Sequence, residues 1–362
     1  MTKKFYLFAS ITFAVIITLG ILAYLKFTAV PKQYFIVETN GVEKKITLLH
    51  SHEVQKSERK FVDKEVKLLF ELSSESETPL YMPADIKTDI DGNIYAREIY
   101  ENSIKVYSPE GKFIRKYGRS GEGPGEFNRL GDFFVTEEKK IYALDNNKVV
   151  LFDNNDIKEI KLKMFGGPSK ILPIGMNEFL LLKTPLKPED GLLGVFNEEG
   201  KETSSFEILY KASQKWGSES VLFYGEIFKS SFKTIFISQY FNLLFFYKGN
   251  KVDKVITTID KEEHPSAIVQ TDEGHMTAAP NHLKNEIINK KTFLINDSLY
   301  IMSMPARKEY KKFIFDMYDA STGKYAHSIR FNHIESFMSV SLSKDRLFIV
   351  DANGRLKVYG FD

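Results

Sequence analysis

Two aspartates, Asp85 and Asp132, stand at comparable places in the first two copies of a repeated pattern. Carboxylates that recur at one position of a repeat can converge on an axis, where they could hold a metal ion such as calcium or zinc. Later copies bring no equally clear Asp, Glu, Asn or His to that place, and such residues more often hydrogen-bond water. Arg97, Glu98 and Asp145 fall near the ends of second strands, where a channel mouth would be; surface ion pairing is their ordinary use. Three of the seven histidines, His264, His275 and His282, lie in Glu262–Glu286 at spacings of 11 and 7 residues, which match no helical zinc pair. His275 with Asp272 and Glu273 is the cluster that could move protons near neutral pH, and no nucleophile accompanies it. The candidate binding residues are therefore Asp85, Arg97, Asp132, His264, His275 and His282, with Asp85 and Asp132 the ligands of any metal and no resident cofactor expected.

Two further stretches invite chemistry and are better read as turns. Gly118–Gly125, GRSGEGPG, has the glycine content of a phosphate loop but neither of its spacings, and no helical pattern follows it. Its four glycines and Pro124 suit a chain reversal from one sheet to the next. Asp89-x-Asp91-Gly92 begins like a calcium loop and lacks the later bidentate glutamate, which leaves an Asp-Gly hairpin turn.

These residues must be positioned by short strands. From Pro83 onward, runs of alternating apolar and polar residues are separated by tight turns, the mark of antiparallel hairpins. An apolar-aromatic pair recurs before a turn at Val106-Tyr107, Leu151-Phe152, Val195-Phe196, Phe246-Tyr247, Met317-Tyr318 and Val358-Tyr359, at intervals of 45, 44, 51, 71 and 41 residues. That period belongs to four-stranded propeller blades. Turns follow as PEGK (Pro109–Lys112), EEGK (Glu198–Lys201) and STGK (Ser321–Lys324), where glycine supplies a positive φ. The fold class is thus all-β: a six-bladed β-propeller of four-stranded antiparallel blades, with room for a seventh blade in the 71-residue interval.

The last unit has space for three strands only, and Phe61–Leu72 reads as one strand without a partner. If that strand completes the last unit, the chain ends are stapled and no sheet edge stays open. Residues 61–362 are then the propeller and 27–60 a membrane-proximal segment, with a hairpin about Asn40-Gly41 and a polar linker after it. Residues 1–26 hold 21 consecutive uncharged residues, Phe5–Leu25. As a helix they would span about 30 Å. This reads as a single-pass inner-membrane anchor with the propeller on the periplasmic side. A cleaved signal peptide followed by secretion is the alternative, against which the apolar run exceeds the usual length of about 7–15 residues.

Composition excludes several functions. With 50 Lys and Arg against 48 Asp and Glu there is no field to draw nucleic acid. The absence of cysteine removes disulfides, thiolate metal sites and a cysteine nucleophile.

DGNIYARE (Asp91–Glu98), SIKVYSPEGKFIRKYG (Ser103–Gly118) and GRSGEGPGEF (Gly118–Phe127) resemble the NHL-type repeat and, more closely, the six-bladed propellers of the cell envelope of Bacteroidetes-like bacteria. The resemblance implies an exported location more than an activity. The expected function is non-catalytic binding of an envelope protein, peptide or glycan by a membrane-anchored propeller. A metal-dependent hydrolase or lyase, lactonase-like and sited at the channel, is the alternative.

Overall fold

The computed structural model describes residues 34–362 apart from 40–41, 165–166, 176, 185–190, 212–221, 232, 262–265, 273–274, 281–286, 288 and 333–335. The apolar run Phe5–Leu25 lies outside the described residues; among those described, no helix is long and apolar enough to cross a membrane.

Six antiparallel sheets are the blades of one ring. Their inner strands, Pro83–Thr88, Leu130–Val135, Lys170–Pro173, Gly225–Lys229, Asn289–Ile295 and Ser339–Leu342, touch in succession and close on themselves. Successive side chains of a strand point to opposite faces, so each blade addresses both neighbours. Ile94 and Ala96 pack toward blade 6, while Tyr95 between them packs toward blade 2. The core is accordingly divided into six apolar clusters, one at each junction between blades.

The aromatic landmark has a defined place in this scheme. Tyr107, Phe152, Phe196, Tyr247, Tyr318 and Tyr359 all lie on third strands and turn back toward the preceding blade. In five of the six blades a β-bulge between third and outer strand falls at the landmark pair, which adds twist and re-aims the side chain. The next turn returns to the same neighbour. Gly111 has φ 84°, and a Cβ built on it would sit 2.6 Å from the Phe70 ring of blade 6. Gly323, at φ 71°, meets Ile256 and Phe246 of blade 4 in the same way. Glycine is needed there both for the positive φ and for the close approach of two blades. Gly118–Gly125 is a connector into blade 2, where Glu126 accepts the Gly123 N–H at 2.8 Å and pairs with Arg119. Asp89 accepts the N–H groups of Asp91 and Asn93 and shapes a turn.

Phe61–Leu72, expected as one strand, is two. Lys67–Leu72 closes blade 6 antiparallel to Leu356–Gly360, as ring closure requires. Phe61–Lys64 instead adds a fifth strand to blade 5, parallel to Tyr325–Phe331. Between them Val66 turns into the junction of blades 5 and 6, and this carries the chain from one blade to the next. Upstream, Glu53 bridges Ile256 and Gln55 bonds Thr257 at the outer strand of blade 4. Arg59 bonds Asp316 at 2.8 Å, Ser303 at 3.1 Å and also Asp260. The stretch that reads as a linker is a strap along blades 4 to 6.

The expected hairpin forms as Tyr34–Thr39 and Val42–Leu48. It lies at the centre of an additional five-stranded sheet, completed by Tyr210–Lys211 on one side and the hairpin Ser266–Asp272 and His275–Pro280 on the other. The 71-residue interval therefore holds an inserted hairpin and no seventh blade.

Two stability predictions follow from these contacts. Gly111→Ala should destabilise the propeller by about 2 kcal/mol or more, from the left-handed backbone and the Phe70 contact together; an unchanged urea midpoint would contradict the close packing of blades 6 and 1. Asp260 is pushed up to about 6, by burial first and then by Asp316, against the pull of Arg59. Because its folded value exceeds the unfolded one, it contributes stability as pH falls from about 7 toward about 4. His52, lowered by burial, works in the opposite direction, so wild type must be compared with Asp260→Asn. Between pH 4 and pH 8 the difference should move in favour of the variant by on the order of 2 kcal/mol. A pH-independent difference in melting would refute it.

Candidate functional site

On the inner strands Ile86, Phe133, Ile171 and Ile227 turn into the junctions between blades. Their chain neighbours Asp85, Asp132, Lys170 and Glu226 therefore turn toward the axis, joined by Lys291 of blade 5 and by Ser339 and Ser341 of blade 6. Carboxylates and amines interleave there. Lys170 bonds Glu226 at 2.9 Å, and Lys291 bonds Asp85 at 2.7 Å and lies 3.9 Å from Glu226. Blade 6 offers only serines, which lets Lys291 reach past it to blade 1. Arg97, on the second strand of blade 1, holds the other oxygen of Asp85 at 2.7 Å and donates to the Leu130 carbonyl. Asp132 pairs with Lys87 at 3.2 Å and accepts the Ile171 N–H.

Burial alone would push both aspartates up. Lys291, Arg97 and Lys170 outweigh it at Asp85 and hold that carboxyl well below the usual range, and Lys87 and Lys170 lower Asp132. Burial would likewise lower the lysines. Glu226 and Asp132 hold Lys170 well above the ordinary amine value, and Asp85 raises Lys291. Each of these four shifts moves the group away from neutrality and fixes its charge.

The ion network divides the channel. Asp85, Lys170 and Lys291 line a cavity of about 310 Å³ on one side and one of about 570 Å³ on the other. The smaller opens among the connectors that lead into the inner strands, and its wall includes Ile99, Tyr224, Gln239, Lys290 and Met338. The larger opens among the turns that leave those strands, beside Asp89, Asn296 and Ser343.

Of the residues singled out by sequence, Asp85 and Arg97 are brought together and Asp132 lies in the same network. Glu98 and Asp145 are anchors for connectors: Glu98 accepts the N–H groups of Tyr81 and Met82, and Asp145 those of Asn128 and Arg129. His275 opens a strand of the inserted hairpin, paired through its backbone with Asp272. His264 and His282 lie outside the described residues. Lys170, Glu226 and Lys291 do not stand out in the sequence because no single residue type recurs at their position. The signal was a charged residue, of either sign, followed by Ile, Phe or Thr at the start of a unit. The donor set does not fit a calcium or zinc ion. Lys291 and Arg97 already take the two oxygens of Asp85, and Lys87 and the Ile171 N–H those of Asp132, and among the described residues no three His, Asp or Glu side chains are grouped to hold a metal.

Comparison with known proteins agrees with this architecture. The DUF5128 family, described as a 6-bladed beta-propeller, matches residues 38–336. A Bacteroides fragilis protein described as exported superposes with a TM-score of 0.50 at 12% identity, over 83% of this chain and 99% of the other. A member of the DUF4221 family from Bacteroides vulgatus gives 0.50 at 12% identity, over 82% and 98%. A catalytically inactive virginiamycin B lyase from Staphylococcus aureus, solved with quinupristin, gives 0.50 at 12% identity, over 82% and 99%. At such identity the likeness is one of fold. No curated protein matches the sequence.

Removing one cation should expose the dependence of the carboxylates on it. Lys170→Met is expected to cost about 3–5 kcal/mol of stability, and the double change Lys170→Met with Glu226→Leu to recover part of that loss. Denaturant midpoints measure both; a single variant as stable as wild type would show that the network is not coupled through Lys170.

Proposed function

The chain belongs to the DUF5128 family of six-bladed β-propellers, and from that premise we propose that it is a membrane-anchored, extracytoplasmic binding module without catalysis of its own. Its partner, a protein, peptide or glycan of the envelope, docks on the face where the connectors enter the inner strands. One observation carries this reading. Tyr81, Ile99, Tyr100, Tyr224 and Met338 are all solvent-exposed, Tyr100 at 71%, and all lie on loops of that face. On the turns of the opposite face, Ile90 is the large apolar side chain exposed among the described residues. Exposed aromatic and apolar side chains gathered around a cavity mark an interaction surface.

For the ion network of the channel, the case against catalysis rests on charge; Asp260 and Lys290, which are shifted toward neutrality, are not part of that network. General acid–base work needs a group that titrates near the working pH. Asp85, Asp132, Lys170 and Lys291 are each displaced from neutrality by their neighbours. For location, the apolar run Phe5–Leu25 supports an anchor, and the likeness to a protein described as exported supports an extracytoplasmic propeller.

In vivo crosslinking of the full chain followed by affinity capture tests the face. Tyr100→Asp and Met338→Asp should each reduce recovery of the crosslinked partner about tenfold, with melting changed little, as for exposed hot-spot residues. Ile90→Asp should leave recovery unchanged. Equal recovery from all three variants would sink the reading.

A further inference from the structure

The cavity on the connector face is unbalanced in charge. Arg97, Lys170, Lys290 and Lys291 line it against a single carboxylate, Asp85. Asp85 is already held by Arg97 and Lys291, both at 2.7 Å. Lys170 is matched by Glu226, which lines the cavity on the other side of the network. That leaves Lys290, which has no carboxylate partner among the described residues and lines the cavity beside Lys291 because a register shift between Asn289 and Thr292 interrupts the alternation of the inner strand of blade 5. Partial burial, and then the neighbouring Lys291, depress its amine, the state that an incoming anion would relieve.

Shape narrows the choice of anion. Asp85, Lys170 and Lys291 line its inner end, where it adjoins the larger cavity, and at about 310 Å³ it has room for a chain end or one side chain. Tyr224 stands at its edge, with the Lys170 amine 6.0 Å from the ring centre. Ile99 at 39% and Met338 at 44% exposure complete an apolar rim. Isoleucine and methionine suit peptide side chains better than sugar hydroxyls, which favours a peptide over an acidic glycan.

Resting on the face assigned above, we propose that this cavity receives a carboxylate of a protein partner, either its C terminus or an acidic side chain, on Lys290, with the apolar rim holding the residues beside it. The two sources share one chemistry, an oxyanion meeting an uncompensated ammonium in a partly desolvated pocket.

The test uses the full chain in detergent and an arrayed library of hexapeptides, randomised at five positions and fixed as glutamate or leucine at the last. Each peptide is presented with a free or an amidated C terminus. Binding is expected to concentrate on peptides with a free terminal carboxylate if that is the source, or on glutamate peptides of either form if the side chain is. For the best binder, Lys290→Met should weaken affinity about tenfold, Lys290→Arg should keep most of it, and raising salt from 50 to 500 mM should weaken it several-fold. Should Lys290→Met fail to fold, the salt dependence and the amide contrast on the unmodified chain decide. Indifference to carboxylates across the library would overturn the proposal, as would binding of digalacturonate where no peptide binds. If carboxylates prove irrelevant while Tyr100→Asp still abolishes partner capture, the face stands and the carboxylate falls. If Tyr100→Asp and Met338→Asp are both silent as well, both fall.

Discussion

Every blade of this protein is apolar on both faces, and that constraint governs the rest of the molecule. A four-stranded sheet of this kind gains stability only between two others, so an open array would leave one face wet at each end. Closing the ring removes both. The N-terminal segment makes the closure in steps: Glu53 and Gln55 lie on blade 4, Arg59 reaches Asp260 beyond its outer strand and Asp316 in blade 5, Phe61–Lys64 extends blade 5, and Lys67–Leu72 completes blade 6. Three blades are stitched by the twenty residues Glu53–Leu72. The landmark aromatics continue the same task elsewhere, each pressed against the blade before its own.

Where six inner strands meet, the constraint reverses. The apolar sides of these strands are consumed by the junctions, which leaves the alternate positions for the axis, and a narrow axis tolerates charge only when charge is compensated. Asp85, Asp132 and Glu226 meet that condition through Lys87, Arg97, Lys170 and Lys291. An ion network of this kind behaves as a plug. It holds Asp85, Asp132, Lys170 and Lys291 in their charged forms and occupies the acceptor oxygens of both aspartates.

The sequence was most informative where a physical requirement recurs in one residue type. An aromatic must press on the preceding blade at each third strand, and glycine must turn at positive φ against a neighbour; both were visible as repeats, and with them the blade count and the closing strand. Asp85 and Asp132 were visible because they match. Lys170, Glu226 and Lys291 were not, since electrostatic compensation demands opposite types at equivalent positions and so destroys the repetition that a reader follows. The split at Val66 was hidden for another reason: FVDKEVKLLFEL alternates well enough for one strand, and only the junction of blades 5 and 6 draws Val66 out of line.

The two faces of the disc differ in what they must do. On the side away from the connectors the turns join adjacent strands of one blade and are short, which leaves the chain little freedom there. Connectors between blades span a greater distance and tolerate additions. Both insertions, Tyr210–Lys211 with its flanks and the hairpin Ser266–Pro280, leave the ring through connectors, and the N-terminal hairpin joins them in one sheet. Tyr81, Tyr224 and Met338 also sit on connectors, immediately before inner strands. The insertions, Tyr81, Tyr224 and Met338 thus gather on the face of the connectors, joined there by Ile99 and Tyr100 on the turn between Ile94–Glu98 and Ser103–Tyr107 and by the helix Met304–Tyr310 between the second and third strands of blade 5.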